Sequence, residues 1–286
     1  MNTLLRSALI PILLLLAGPV WAQKTTEPQP MAAPGESTEP PRPNAAPVPI
    51  VQQHALPRAG GVLVFGGTDG TRRELTKVLI ANHIHVTVVA DVSASASTDT
   101  SSGESELTTM GAVVAHGNAL DPESIKPIFA SAPFRAVISA IDEKHNASQD
   151  LNGFKDVVDG VKASNIPRLI LISAIGAGDS SDAPPWYVKV AMKLLDYRAV
   201  TEVAEAEDYL RKSGLEYTIV RSGGPSDQTA SGKAVLTQDN HLYSRIARAD
   251  LANLLAACVD DDTLVGKTLS AFDETRVGFL AMFGRN

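Results

Sequence analysis

Between residues 60 and 221, short apolar runs alternate with longer stretches in which apolar residues recur every three or four positions. The runs 62–65, 85–90, 112–115, 136–140, 168–173 and 217–221 are short and rich in Val, Ile, Leu and Ala. Near-continuous apolar runs of this length are the signature of strands buried on both faces. Between them, residues 71–81 place Leu75, Val78 and Leu79 on one helical face, and 148–164 does the same with Leu151, Phe154, Val157, Val158 and Val161. Asp121 followed by Pro122 marks a helix start, and Ser213-Gly214 marks the end of a longer helix before 217–221. The Ser/Thr-rich stretch after 85–90 reads as a loop. Short strands separated by helices predict an α/β fold, because parallel neighbours require crossover connections. The expected architecture is a Rossmann-like doubly wound parallel sheet in a single domain, residues 59–286, with its ligand crevice at the carboxyl ends of the strands.

Two segments ahead of this domain lack its periodicity. Residues 1–22 carry one basic residue, Arg6, then the apolar run Ala8-Leu9-Ile10-Pro11-Ile12-Leu13-Leu14-Leu15-Leu16-Ala17, and end on Val20-Trp21-Ala22. That pattern predicts a secretory signal peptide and a secreted or periplasmic protein. An uncleaved membrane anchor is the other reading, although the run falls short of the roughly 20 residues that span a bilayer. Residues 23–58, rich in Pro, Ala, Thr, Gln and Glu, cannot bury enough surface to offset their ordering entropy, and are expected to form a disordered linker.

Charge and cysteine content narrow the partners. The formal net charge is -7, and loss of residues 1–22, whose one charge is Arg6, takes it to -8. An acidic chain does not suggest a nucleic-acid partner. The single cysteine, Cys258, excludes an internal disulfide and sits in an apolar run, which predicts a buried side chain. The His residues are scattered and offer no metal-ligand spacing.

The densest chemical signal is the glycine stretch Gly66-Gly67-Thr68-Asp69-Gly70-Thr71-Arg72, which follows the first strand and opens the first helix. A strand, glycine turn and helix in that order present backbone N–H groups to a dinucleotide pyrophosphate.

With Gly117-Asn118-Ala119-Leu120-Asp121-Pro122, Ala136-Val137-Ile138-Ser139-Ala140, Leu171-Ile172-Ser173-Ala174-Ile175-Gly176-Ala177 and Leu210-Arg211-Lys212-Ser213-Gly214-Leu215-Glu216-Tyr217-Thr218-Ile219-Val220-Arg221, this stretch resembles, in order, the landmarks of the atypical short-chain dehydrogenase/reductases. The similar subgroup is the NAD(P)H-binding, NmrA-like and flavin/biliverdin-reductase-like one. The resemblance implies NAD or NADP as cofactor and a small-molecule substrate. It implies cofactor-binding positions at Gly66, Gly67, Thr68, Asp69, Gly70, Thr71 and Arg72, at Asp91 and Asn118, and at Ser139, Ala140, Ser173 and Arg221.

Several of these positions depart from the family pattern. Asp69 and Arg72 stand where the resemblance implies the second and third glycines. Two unit charges about 4 Å apart interact by roughly 4 kcal/mol at an effective dielectric of about 20, whereas a helix N-terminus gives an anion only ~0.3–2 kcal/mol. Asp69 is therefore expected to weaken pyrophosphate binding unless Arg72 or Arg73 neutralises it, and Arg72 is expected to point outward. Ala90 followed by Asp91 replaces the basic residue of NADP users. Asn118 replaces an adenine-contacting Asp. Tyr197 and Ser173 are the nearest counterparts of a catalytic tyrosine and serine, but Thr201 stands where a lysine would lower the phenol pKa. Asp142, Arg221 and Ser222 are further polar candidates at strand ends, with Glu202 or Glu205 as possible ion-pair partners of Arg221.

Two functional classes follow. One is an exported binding protein or sensor whose cofactor use is weakened or lost. The other is an NAD(P)-dependent oxidoreductase that reduces a small carbonyl, quinone or flavin-like substrate.

Overall fold

The computed structural model describes residues 59–66, 70–91, 98–140, 147–195 and 197–278. The expected signal and linker, residues 1–22 and 23–58, lie outside them. Each apolar run forms a strand: β1 (Gly61–Phe65), β2 (Val86–Asp91), β3 (Val113–Gly117), β4 (Phe134–Ala140), β5 (Arg168–Ala174) and β6 (Glu216–Ser222). The helices between them are α1 (Gly70–Ala81), α2 (Thr98–Thr109), α3 (Pro122–Phe129), α4 (Ala147–Ala163), α5 (Trp186–Leu195) and α6 (Tyr197–Lys212). After β6 come β7 (Pro225–Ser226), β8 (Val235–Thr237), β9 (Ile246–Ala247), α7 (Arg248–Ala257) and β10 (Lys267–Phe272). The main sheet runs β3-β2-β1-β4-β5-β6-β10-β8, and β7 pairs with β9 in a separate two-stranded ladder. All pairs in the main sheet are parallel except β10 with β8. Strand order reverses between β1 and β4, which places a ligand crevice at their carboxyl ends.

Alternation along the strands divides the core into two layers. Val62, Val64, Val86, Val88, Ile138 and Ile170 pack with Leu75 and Leu79 of α1, Leu107 of α2, and Leu251 and Leu255 of α7. Leu63, Phe65, Val137, Leu169, Leu171 and Ile219 pack on the other face with α3, α4 and α6. Asp121 caps α3 as the Asp-Pro signal predicts, its carboxylate accepting from the Glu123 N–H.

Three elements depart from the periodicity. The Ser/Thr-rich stretch read as a loop contains helix α2, because Leu107 is fully buried and Glu106 pairs with Arg73 and Lys77 of α1. Tertiary contacts override weak local propensity there. The short strands β8 and β10 lie beyond the last apolar run read as a strand, and β10 alternates Thr268 and Ser270 with Leu269 and Ala271. The N-terminal end of β5 is anchored by Arg168, fully buried, which donates to the carbonyls of Cys258 (2.9 and 2.6 Å) and Asp261 (3.2 Å) and to Thr218 Oγ1 (3.0 Å). Cys258 itself is buried, as its apolar context predicts.

Candidate functional site

The glycine turn begins where β1 ends. Gly66 takes a φ of +70° and Gly70 a φ of +57°, the left-handed region that glycine enters without steric cost. The Gly66 N–H donates to Val89 O at 2.9 Å, which fixes the turn against β2. Gly67, Thr68 and Asp69 lie outside the described residues. Arg72 does not point outward: its side chain folds back over Gly66, where an added Cβ would lie 2.5 Å from Arg72 Nε and 2.7 Å from Cζ. A guanidinium therefore occupies the space that a third glycine would leave beside the strand. Nor does Arg73 reach across the turn, because its guanidinium pairs with Glu106. Thr71, the second residue of α1, is buried, and Arg248 Nη1 lies 3.4 Å from its Oγ1.

The remaining cofactor positions are distributed along the carboxyl edge of the sheet. Asp91 closes β2 opposite Gly117 of β3; its side chain lies outside the described set. Asn118 follows β3, and its Oδ1 accepts from the Leu120 N–H at 2.8 Å, a local turn that leaves the amide nitrogen as the group able to donate to a ligand. Ser139 is buried and Ala140 half-buried at the end of β4. Asp142 lies outside the described residues, as does the side chain of Tyr197, and Thr201 is exposed on α6.

Ser173 and Arg221 are brought together, and both are committed to Glu207. They are register partners on β5 and β6, on the face covered by α6. Arg221 donates from Nε to Glu207 Oε1 (2.9 Å) and from Nη2 to Oε2 (2.6 Å), while Ser173 Oγ donates to Oε1 (2.6 Å). The ion-pair partners of Arg221 are thus Glu207 and Asp179, and neither Glu202 nor Glu205. Asp179, in the turn after β5, accepts from Arg221 Nη1 at 2.5 Å and from Asn240 Nδ2 at 3.0 Å. Arg211 adds a bond to Glu207 Oε2 at 2.9 Å. Burial pushes the Arg221 pKa down, but the Glu207 and Asp179 carboxylates more than offset it and leave it raised. A cavity of about 400 Å³ lined by Asp179, Asp208, Arg211, Arg221 and Thr268 opens beside this cluster.

Glu207 had a signal in the sequence. It lies one residue from Ala206 and three before Leu210, both buried on the inward face of α6, so a carboxylate there requires a partner. Arg221 lies two positions beyond buried Ile219 on β6, which turns it toward the same layer.

The segment after β6 follows its own course. Pro225–Ser226 pairs with Ile246–Ala247, and the next residues, Asp227 and Arg248, form an ion pair at 2.8 Å. Asp250 accepts from the N–H groups of Ser231 (2.7 Å) and Gly232 (3.0 Å), and Ser231 Oγ donates to buried Asp273 at 2.7 Å. Among the described residues, no group of three or more His, Cys, Asp or Glu is placed to hold a metal ion.

A sequence model of the family described as NAD(P)H-binding matches residues 66–262. An uncharacterized chloroplastic protein of Arabidopsis thaliana is 32% identical over 104 residues, 35% of this chain and 35% of that one. A protein of the UPF0659 group from Schizosaccharomyces pombe is 33% identical over 96 residues, 30% of this chain and 39% of that one. The match thus spans little more than a third of the length of these relatives. Among solved structures, ChuY of Escherichia coli O157:H7, described as an anaerobilin reductase, has a TM-score of 0.64 at 26% identity, covering 77% of this chain and all (100%) of that one. A short-chain dehydrogenase/reductase from Veillonella parvula in complex with NADP has a TM-score of 0.63 over 76% of this chain and 97% of that one; at 17% identity it shows the fold alone.

Proposed function

We propose that this chain, which belongs to the NAD(P)H-binding family of atypical short-chain dehydrogenase/reductases, is an exported dinucleotide-binding protein with weakened cofactor use, acting as a sensor or binding protein. The observation that carries this reading is the Arg72 guanidinium folded over Gly66. A phosphate approaching that turn meets a side chain where the fold ordinarily leaves backbone exposed. The turn still suits an anion, because Gly66 after β1 and Gly70 at the head of α1 hold left-handed conformations and the helix dipole favours negative charge at the start of α1. Gly66, Gly70 and Thr71 would hold the pyrophosphate, Asp91 a ribose hydroxyl and Asn118 the adenine edge. A bound nicotinamide would supply hydride chemistry. The chain offers that chemistry little help from Ser173, whose proton is directed to Glu207, or from Thr201, which has no charge to activate a phenol.

The second reading is an NAD(P)-dependent reductase of a small carbonyl, quinone or flavin-like substrate. Its support is the likeness to ChuY over that protein's whole length.

One experiment separates them. The full chain is titrated with NAD, NADH, NADP and NADPH while its thermal unfolding is followed, since a ligand that binds only the native state raises stability. Oxidation of NADH and NADPH is then measured with quinone, flavin and tetrapyrrole acceptors. Binding without turnover supports the sensor reading, turnover supports the reductase, and absence of binding to all four nucleotides overturns both. Export is tested by fractionating the native host and sequencing the protein's N-terminus. A chain starting at Gln23 supports it; a soluble cytoplasmic chain that retains residues 1–22 overturns it.

A further inference from the structure

The Asp227–Arg248 pair is far from the glycine turn in sequence and adjacent to it in space. Backbone pairing fixes its position: Ser226 and Ala247 are the last register partners of the two-residue β7/β9 ladder, so Asp227 and Arg248 leave it side by side. Arg248 is also the first residue of α7, which lies along α1 within one core layer. Its guanidinium bridges two places. Nε donates to Asp227 Oδ1 at 2.8 Å on one side. On the other side, Nη1 lies 3.4 Å from Thr71 Oγ1 and would lie 3.5 Å from a Cβ at Gly70, so it stands at the opening of α1. The Arg248 side chain is only 30% exposed, whereas that of Asp227 is 87% exposed.

We infer that Arg248 is a phosphate-binding residue of the dinucleotide site, held over the first turn of α1 by Asp227. This inference rests on the dinucleotide-binding reading above and names a residue that the glycine stretch does not contain. The physical case is charge and placement. A partly desolvated guanidinium beside the α1 N-terminus adds positive charge there, with a fork suited to phosphate oxygens. The 3.4 Å separation from Thr71 Oγ1 is long for a strong hydrogen bond, so a phosphate oxygen arriving there can take over that donor at little cost. The same arrangement couples the segment after β6 to the cofactor turn. Residues 223–247 begin at the carboxyl end of β6, on the ligand side of a doubly wound sheet, and their Asp227 sets the position of Arg248.

The test measures affinity of the full chain for NADH, NADPH, ADP and adenosine by calorimetry, in the wild type, R248Q and R248K. R248Q is expected to weaken the three phosphate-bearing ligands about tenfold, the scale of one charge-assisted hydrogen bond, and to leave adenosine unchanged. R248K, which keeps the charge without the fork, is expected to lose affinity for the same three ligands by a smaller factor, and it serves alone if R248Q does not fold. Unchanged affinity for phosphate-bearing ligands in the folded variants overturns the inference, as does an equal loss for adenosine. A wild-type chain that binds NADH, NADPH and ADP while the variants match it defeats this inference alone. A wild-type chain that binds none of them defeats the functional reading as well.

Discussion

Arg221 and Glu207 form a two-point ion pair inside the protein, with side chains 1% and 0% exposed and donor–acceptor distances of 2.9 and 2.6 Å. The pair joins β6 to α6, and Ser173 ties β5 to the same carboxylate. Because desolvation makes such a pair costly to form, its removal is most harmful when only one partner goes. Glu207→Gln is expected to destabilise the full chain by about 3–5 kcal/mol, measured by urea unfolding. Replacing both residues, as in Glu207→Leu with Arg221→Met, should recover most of that loss. A single-substitution loss below about 1 kcal/mol would show that the pair is solvated or readily replaced.

Asp273 sets an acid limit. Burial pushes its carboxyl pKa up, but hydrogen bonds from Thr275 and Ser231 and the charge of Arg276 more than offset this and hold it below the usual range. A depressed folded pKa stabilises the protein above the unfolded value of about 3.9, and that contribution disappears as pH falls through the folded pKa. Melting temperature is therefore expected to drop as pH falls below ~4, and Asp273→Asn should flatten that part of the profile. An unchanged slope in the variant would remove Asp273 as the cause.

Cys258 is expected to be inert in the native protein. Burial pushes its thiol up to about 12, so at pH 8 only about one part in ten thousand is thiolate. A thiol reagent should label it slowly in the folded chain and stoichiometrically in urea. Rapid labelling under native conditions would show that α7 opens readily.

Restoring glycines is expected to strengthen cofactor binding. Asp69→Gly removes a carboxylate from the turn, and Arg72→Gly clears the guanidinium from Gly66. The double variant should bind at least one of NAD, NADH, NADP or NADPH at least about tenfold more tightly, since a like-charge contact at about 4 Å costs roughly 1 kcal/mol in bulk water and about 4 kcal/mol at a protein surface. Calorimetry on the full chain checks it. No gain for any nucleotide sinks the electrostatic explanation.

The first six strands were legible because each is a short apolar run bounded by helical periodicity, and all but the edge strand β3, where Val113 is exposed, are buried along most of their length. Helix α2 was not, because its sequence contains one apolar anchor, Leu107, and it is held as well by long-range pairs such as those of Glu106 with Arg73 and Lys77 of α1. Strand β10 escaped for a related reason: Thr268 and Ser270 interrupt its apolar positions because one face borders Arg211 and the polar cavity. At the site, the glycine turn was legible and the direction of Arg72 was not. A charge at a glycine position can fold either way, and only the packing of α1 against β1 decides which.

Sequence alone therefore determined the parallel doubly wound sheet, the place of the glycine turn between β1 and α1, and the burial of Cys258. Those features depend on local periodicity, on Gly backbone freedom and on apolar context, all of which are carried within a few residues. Tertiary structure decided the fate of the charges. Glu207 reaches Arg221, Arg168 reaches the carbonyl of Cys258, and Arg248 reaches Thr71 across separations of 14, 90 and 177 residues. A long charged side chain takes its partner from whatever the fold brings near it, and burial makes that choice energetically decisive.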